Sequence, residues 1–137
     1  KPSRSLTIKP RKDWLQKGDH FKPTCPGTDI FATIHAAAGS PKPKGEYIES
    51  YDLLPYLTGK LRDDPHEWLY WRQSHRAAFR IGDLKIVRQS PRKWELYDLA
   101  RDPSETKNLV KDQPEEFKLL LEGWEKINGN MIEPLFK

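Results

Sequence analysis

Four short runs of strand-forming residues occupy the middle of the chain and constrain its fold most strongly. Aromatic and β-branched side chains favour extended backbone, and they predict strands over 68–71, 77–81, 84–88 and 94–97. Gly82-Asp83 links the second run to the third, and a two-residue link of this kind is typical of a tight hairpin. Apolar residues alternate along the last three runs, so the pattern predicts about four antiparallel strands with one apolar face.

A helix is predicted after the sheet, near the end of the sequence. Asp112 suits the N-cap position, with Pro114 in the first turn and Glu115 where a capping box has its acidic residue. Gly129 is predicted to end the helix. The apolar residues recur at helical spacing and predict one buried stripe: Phe117, Leu120, Leu121, Trp124 and Ile127. Packed on the apolar face of the sheet, this helix gives an α+β fold.

A shorter helix is predicted earlier, with Thr28 as its N-cap and Gly39 as its stop. Its predicted apolar stripe consists of Ile30, Phe31, Ile34, Ala37 and Ala38. The segment 51–59 contains Pro55 and predicts a helical turn or short helix. Residues 1–27 are basic and weakly periodic, so they are interpreted as an irregular arm or junction that precedes a folded subdomain over 28–137.

The chain is lean in apolar residues for a domain of its size. Only 36% of its 137 residues are hydrophobic, although five Trp, five Tyr and five Phe partly compensate. A small domain must bury a large share of its apolar surface to offset chain entropy. The composition is consistent with a domain that completes its core against another, or with a marginally stable domain.

Positive charge concentrates in the middle of the sequence. The net charge is +4, and residues 66–94 hold seven Lys and Arg against Glu67 and Asp83. A basic surface favours anionic partners, although an ordinary solvated surface would have the same composition. No apolar run approaches the length of a membrane span.

The candidate ligand-binding residues lie around the first predicted strand. Arg72, His75 and Arg76 fall in a predicted loop over 72–76, and guanidinium groups bind oxyanions through paired hydrogen bonds. The full candidate set is His66, Trp71, Arg72, His75 and Arg76. These residues form either the wall of an anion site or a solvated surface. The single cysteine, Cys25, and four scattered histidines lack zinc-site spacing.

The segment 96–109 reads Leu-Tyr-Asp-Leu-Ala-Arg-Asp-Pro-Ser-Glu-Thr-Lys-Asn-Leu. It begins as a strand end and continues as a polar turn, in which Asp98, Asp102 and Asn108 can bond nearby backbone amides. Pro103 stiffens the bend. Nothing in this chemistry requires catalysis, so the segment predicts a structural corner between the sheet and the final helix.

The same segment resembles a motif of the type I sulfatases, which are arylsulfatase-like members of the alkaline-phosphatase superfamily. The matching positions are Leu96, Tyr97, Asp98, Leu99, Asp102, Pro103, Glu105, Asn108 and Leu109. Three further segments match in the family's order. They are 28–39, with Ala32 in place of the usual Pro, then 52–59, and then 69–85. The resemblance covers residues 28 to about 134 and is to the C-terminal portion of the family.

This resemblance implies the C-terminal subdomain of an alkaline-phosphatase-like fold, packed against a large α/β catalytic domain. The family makes its formylglycine nucleophile from a Cys/Ser-x-Pro-x-Arg motif. Cys25 does not fit that motif, because Pro26 comes one position early and Asp29 stands where Arg should be. The family's metal-binding Asp pairs and its active-site Lys segment are also missing. No catalytic or metal residue is therefore expected here, and calcium and formylglycine are expected in the catalytic domain of a parent enzyme.

Two functions follow from the sequence. The first is the C-terminal region of a sulfuric ester hydrolase. This region would complete the fold of the enzyme and would not be catalytic alone. Its five candidate residues would line the cleft that binds a sulfated small molecule or glycan. Its partner is the sulfatase catalytic domain. The alternative is a stand-alone basic module that binds sulfated polysaccharide or another polyanion, with nucleic acid the less expected ligand. A purely structural remnant that binds no ligand is the remaining alternative.

Overall fold

The computed structural model describes residues 24–40, 50–91 and 93–132. The chain divides into two compact units, residues 1–66 and residues 67–137. Of the predicted arm over 1–27, only 24–27 belong to the described residues, so the boundary between arm and subdomain stays a prediction. Residues 41–49 also lie outside them.

The described part of the first unit contains helix α1 (Gly27–Ala37) and the one-turn helix α2 (Leu54–Leu57). The N-cap of α1 is Pro26, whose carbonyl accepts a hydrogen bond from the Asp29 N–H at 3.1 Å. The predicted N-cap, Thr28, therefore lies inside the first turn, and that prediction is wrong. Gly39 follows the C-cap with a φ of 66°, as expected for a glycine that ends a helix.

The buried side of α1 differs from the predicted apolar stripe. Ile30, Phe31 and Ile34 are 37%, 42% and 61% exposed, whereas Asp29 and Ala32 are buried. Burying a carboxylate is costly unless it is paired and hydrogen-bonded, and the partners of Asp29 lie elsewhere in the unit. The helix turns its Asp29 side toward those partners, so the prediction that Ile30, Phe31 and Ile34 form its buried stripe is wrong.

The second unit contains an antiparallel sheet of four strands in the order β1-β2-β3-β4. Its strands are β1 (Leu69–Gln73), β2 (Arg76–Ile81), β3 (Leu84–Ser90) and β4 (Lys93–Asp98). Phe79 pairs with Ile86, and Ile86 pairs with Leu96, which aligns one apolar row across three strands. The prediction of four antiparallel strands is confirmed. The β2–β3 hairpin turns at Gly82, whose φ of 55° suits a glycine.

The β1–β2 hairpin is tighter than the sequence predicts. β1 continues through Gln73 and β2 starts at Arg76, so the connection is Ser74-His75 and not a loop over 72–76. Ser74 has a φ of 54°, a left-handed conformation that two-residue hairpin turns require. Arg72 and Arg76 are therefore strand residues, whose side chains point to defined faces of the sheet.

Helix α3 (Pro114–Gly129) follows the sheet, with Gln113 as its N-cap. The predicted N-cap, Asp112, is wrong by one residue, because the residue before a proline is disfavoured in helical backbone and so becomes the cap itself. Glu115 is then the second helical residue, and no capping box forms. Asp112 instead pairs with Lys107, with 3.1 Å between carboxylate Oδ2 and Nζ. Gly129 is the last helical residue, and Asn130 is the C-cap.

The core of the second unit lies between the sheet and α3. Its buried residues are Ala77, Phe79, Ile86, Leu96, Leu120 and Trp124, and Phe117, Leu121 and Ile127 pack against them. The predicted stripe on α3 is therefore confirmed. Gly123 lies so close to the sheet that a Cβ there would be 2.7 Å from Cε1 of Phe79. The described chain is thus a small α+β fold, as predicted.

Candidate functional site

A buried carboxylate–imidazole pair lies in the first unit. Asp29 is fully buried in the first turn of α1, and its Oδ2 lies 2.6 Å from Nε2 of His66. Its Oδ1 accepts a hydrogen bond from the Tyr51 backbone N–H at 2.9 Å. The Tyr51 ring meets the imidazole edge-on, with 4.8 Å between the ring centroids. The Asp29–His66 pair is therefore held in place by α1, which carries Asp29, and by the backbone and ring of Tyr51.

Thr33, one turn further along α1, supports the same arrangement. Its hydroxyl donates to the Asp29 carbonyl at 2.7 Å and accepts a hydrogen bond from the Leu53 N–H at 3.0 Å. Leu53 is 1% exposed. Asp29 and Thr33 thus hold the segment from Tyr51 to Leu53 against one side of α1, which explains why the helix buries this polar side.

Cys25 also lies beside Asp29, but its environment disfavours the thiolate. Burial raises the pKa of the Cys25 thiol above its ordinary value, and the negative charge of Asp29 raises it further. Reactive cysteines have a lowered pKa, since the thiolate is the nucleophile. Cys25 therefore has the character of an ordinary packed thiol.

Four of the five predicted site residues lie at the β1–β2 hairpin of the second unit. Arg72 lies on the sheet face that carries α3, where its Nη1 donates to Oδ1 of Asn128 at 2.7 Å. The Tyr70 hydroxyl donates to the same oxygen at 2.9 Å. Side chains alternate along a strand, so Trp71 lies on the opposite face, where it is 40% exposed.

Arg76 shares the face of Trp71, because its neighbour Ala77 belongs to the core beneath α3. Trp71 pairs with Ala78, two residues along β2 from Arg76, so the two side chains are diagonal neighbours within reach of one another. The hairpin thus brings Trp71 and Arg76 together and places Arg72 on the other face. The predicted arrangement of Arg72 and Arg76 in one loop does not form, although the role of each in a substrate wall stays a prediction.

His75 occupies the turn, and its carbonyl accepts a hydrogen bond from Nε of Arg88 at 2.9 Å. The guanidinium carbon of Arg88 lies 5.0 Å from the ring centroid of Trp94 and 4.9 Å from that of Trp124. These are distances at which a cation is attracted to an aromatic face. Arg88 therefore ties the turn to the aromatic core. This role cannot be predicted from the sequence, because it depends on the pairing of β3 with β4 and on the packing of α3.

Other cations of the basic segment also have partners within the fold. Lys85 Nζ lies 2.5 Å from Glu105, and Lys93 Nζ lies 2.7 Å from Glu95. Nε of Arg80 donates to the Gly82 carbonyl at 2.6 Å. With Arg72 on Asn128 and Arg88 between two indoles, much of this positive charge serves the internal structure.

The segment over 96–109 is a hydrogen-bonded corner, as predicted. Oδ1 of Asp98 accepts two backbone N–H groups at 3.0 and 3.3 Å, and Oδ2 of Asp102 accepts two at 2.6 and 2.8 Å. Oδ1 of Asn108 accepts two more at 3.2 and 3.0 Å, from β4 and from the turn. The donors are Ala100, Arg101, Thr106, Lys107, Leu96 and Val110. The hydrogen bonds from the backbone N–H groups of Lys107 and Thr106 lower the pKa of Asp102.

The face of β4 opposite α3 carries a second polar group of side chains. The Tyr97 hydroxyl donates to Oε2 of Glu95 at 2.9 Å. Burial, followed by the contact with Glu95, raises the pKa of Tyr97 to about 12. Hydrogen bonds from Lys93 and from Tyr97 lower the pKa of Glu95. This group is a packed structural network, and its titration offers a probe of folding.

No three or more His, Cys, Asp or Glu side chains converge as a metal site among the residues that the structure describes. Within the same residues, none of the helices has both the length and the apolar surface needed to cross a membrane.

Comparison with known proteins relates the chain to sulfatases. Human steryl-sulfatase is 36% identical over 56 residues, which are 41% of this chain and 10% of that protein. An uncharacterised sulfatase of Schizosaccharomyces pombe is 28% identical over 109 residues, or 70% of this chain and 20% of that protein. No protein-family model matches the chain.

Solved structures show the same relationship in three dimensions. A structure from work on glycosaminoglycan metabolism by Bacteroides thetaiotaomicron has a TM-score of 0.58 and 28% identity, and the match covers 74% of this chain and 24% of that one. A second structure has a TM-score of 0.56 and 21% identity over 74% of this chain and 23% of that one, and it holds its substrate, D-glucosamine-2-N,6-O-disulfate. At this identity, the second likeness shows the fold alone.

The chain is therefore sulfatase-related, and its α+β fold is that of a segment found in sulfatases. It spans 10% and 20% of the lengths of the two curated relatives. The resemblance to sulfatases that the sequence indicates is therefore confirmed.

Proposed function

We propose that this chain is the C-terminal region of a sulfuric ester hydrolase, that it completes the fold of the catalytic domain, and that it is not catalytic alone. The observation that carries the proposal is the match of most of this chain to about a quarter of a larger protein, at 28% identity and a TM-score of 0.58. Sulfatase relatives and the corner motif support the same conclusion. The parent's substrate is proposed to be a sulfated glycan or small molecule.

The chemistry itself is proposed to reside in the catalytic domain, which would supply formylglycine and calcium. A divalent metal polarises the ester and activates the nucleophile. The described residues contribute no ligand cluster to such a centre. The contribution of this chain would be to bind and orient the ester.

Trp71 and Arg76 are the best-placed residues of the second unit for a substrate wall. Both side chains are exposed, and both lie on the sheet face away from α3. A guanidinium group can bind a sulfate through paired hydrogen bonds, while an indole offers a flat apolar surface to a sugar or steroid ring. Arg72 and His75 are proposed to lie at the edge of this wall, where their contacts with Asn128 and Arg88 hold the hairpin in place.

The test is steady-state kinetics of the full-length enzyme carrying Arg76→Ala. Loss of one charge-assisted hydrogen bond is expected to lower kcat/KM for a sulfate ester by about 10- to 100-fold, mainly through KM. Lys118→Ala is the matched control, because Lys118 is also an exposed cation but lies on α3. Unchanged kinetics for Arg76→Ala would refute the wall. A full-length protein that hydrolyses no sulfate ester would refute the proposed function itself.

The alternative of a stand-alone polyanion-binding module has less support, because Arg72, Arg80, Lys85, Arg88 and Lys93 all contact groups within the fold. Its test is retention of the 137-residue chain on immobilised heparin. Strong retention with a steep salt dependence would favour the module. Elution at low salt would remove it.

A further inference from the structure

We propose that the outer face of α1, formed by Ile30, Phe31 and Ile34, is the surface on which the catalytic domain of the same polypeptide docks. The occupant is thus an uncharged, apolar surface of a protein domain. The inference rests on the proposed function, from which it takes the presence of a catalytic domain, and it adds the part of this chain that meets that domain.

The three side chains lie together on one side of the helix. Each residue of an α-helix is turned by about 100° from the residue before it, so positions 30, 31 and 34 share a side opposite to Asp29 and Ala32. Asp29 and Ala32 are buried, whereas Ile30, Phe31 and Ile34 are 37%, 42% and 61% exposed. The helix therefore packs its Asp29 side within its own unit and leaves the more apolar side open.

The composition of α1 is unusual for a helix with one side in water. Between Gly27 and Ala38 the ionisable residues are Asp29, which is buried, and His35. A helix at a protein surface normally carries charged residues on its outer side, and one whose outer side is apolar is covered in the complete protein. In contrast, α3 has charged residues at most of its exposed positions, which are Glu115, Glu116, Lys118, Glu122, Glu125 and Lys126.

The first unit also has few apolar side chains in its interior. Among its described residues the buried apolar side chains are Ala32, Leu53 and Pro65, while Tyr51 and Leu61 are 49% and 46% exposed. In the second unit, the sheet and α3 enclose a continuous core. Burial of apolar surface is the dominant favourable contribution to folding, so covering the outer face would supply contacts that the first unit lacks.

A catalytic domain of the same polypeptide is the favoured occupant of this face. The chain spans 10% and 20% of its two curated relatives, and 24% of the structural neighbour at 28% identity, so most of each protein lies outside the matched part. A covalently linked domain has a high effective concentration at α1, whereas a second copy must come from solution. A lipid surface is disfavoured, because helices that bind lipid are rich in Lys and Arg on their polar side, and α1 has neither.

The test introduces the photoreactive residue p-benzoylphenylalanine at position 34 or position 119 of the full-length enzyme. Ile34 and Leu119 are matched, because both are helical and they are 61% and 62% exposed. Leu119, however, has Glu115, Glu116 and Glu122 at neighbouring helical positions. After irradiation, mass spectrometry should find a cross-link from position 34 to the catalytic domain, and no such cross-link from position 119.

Ile34→Asp provides a second measurement in the same enzyme. A charge placed in an apolar contact is costly, so this variant should lower the melting temperature of the full-length protein by about 3–6 °C. Leu119→Asp should change the melting temperature by less than about 1 °C, since an exposed substitution has little effect. An unchanged melting temperature in Ile34→Asp would overturn the inference.

The cross-linked partner separates the possible occupants. Cross-linking of position 34 to residues 67–137, to a second copy, or to lipid in added phosphatidylserine vesicles would overturn the inference. A cross-link no stronger than that of position 119 would overturn it as well. An enzyme that hydrolyses sulfate esters without the expected cross-link would contradict the docking surface alone. A protein that forms the cross-link but hydrolyses no sulfate ester would instead contradict the proposed function.

Discussion

Replacing Gly123 by alanine tests the close packing of α3 on the sheet. The added Cβ would lie 2.7 Å from Cε1 and 3.2 Å from Cζ of Phe79. Carbon atoms in contact prefer about 3.5–4.0 Å, so the helix or the ring must move by nearly 1 Å. Phe79 is 1% exposed and packs beside Trp68, with 6.1 Å between the ring centroids. A buried aromatic ring in such a site has little room to yield.

Overpacking a core costs about 1–3 kcal/mol, while alanine gains up to about 1 kcal/mol over glycine inside a helix. The net expectation for Gly123→Ala is a loss of about 1–2 kcal/mol in the free energy of unfolding. Urea unfolding followed by tryptophan fluorescence measures it, since Trp124 lies in the same core.

Gly129→Ala is the control, because no atom lies within 4 Å of a Cβ built there. It should leave stability unchanged or raise it slightly. In a double variant with Phe79→Leu, the cost of Gly123→Ala should shrink, since the ring that it meets is gone. A Gly123→Ala protein as stable as the wild type would refute this account of the glycine.

Two further predictions concern the corner and β4. Asn108→Ala should lower the free energy of unfolding by about 1–2 kcal/mol, because two backbone N–H groups lose their acceptor. Asn108→Asp keeps that oxygen and should lose much less stability in the same urea assay. Equal losses in both variants would contradict the assignment. Tyr97 has a pKa of about 12 against an ordinary value of 10.0, so its contribution to stability should be complete below pH 10 and be lost as the pH rises toward 12. Tyr97→Phe should remove the loss of stability between pH 10 and 12. A loss as large as that of the wild type would contradict the assignment of this pH dependence to Tyr97.

The sheet and the last helix could be predicted because their signals are local. Strands show a period of two and α3 a period near four, and both patterns matched the faces that pack together. The corner was predictable for the same reason, since Asp98, Asp102 and Asn108 bond amides at most a few residues away or on the adjoining strand. The helix start at Gln113 was missed by one residue, although Pro114 carried the signal.

The orientation of α1 could not be predicted from its own residues. Apolar spacing favours Ile30, Phe31 and Ile34 as the buried stripe. The helix instead buries Asp29, because Asp29 bonds to His66. His66 lies 37 residues further along the chain. A pairing over that distance leaves no periodic trace in the sequence. His66 is one of the predicted site residues, whereas the sequence predicts no site role for Asp29.

The arrangement of the candidate residues around the β1–β2 hairpin differs from the predicted one for a similar reason. Arg72, His75 and Arg76 are close in sequence, which suggested one loop with converging cations. The turn between β1 and β2 contains only Ser74-His75, so strand alternation separates Arg72 from Arg76. The neighbour of Arg76 on its face is Trp71, which becomes evident only once the strand register is known.

The most direct test of the central claim is the coding sequence upstream of Lys1. A C-terminal sulfatase region predicts, in the same reading frame, a Cys/Ser-x-Pro-x-Arg motif and paired Asp residues, and mass spectrometry of the expressed protein should find formylglycine in that motif. An upstream sequence that encodes no such motif, in a protein that hydrolyses no sulfate ester, would contradict the account.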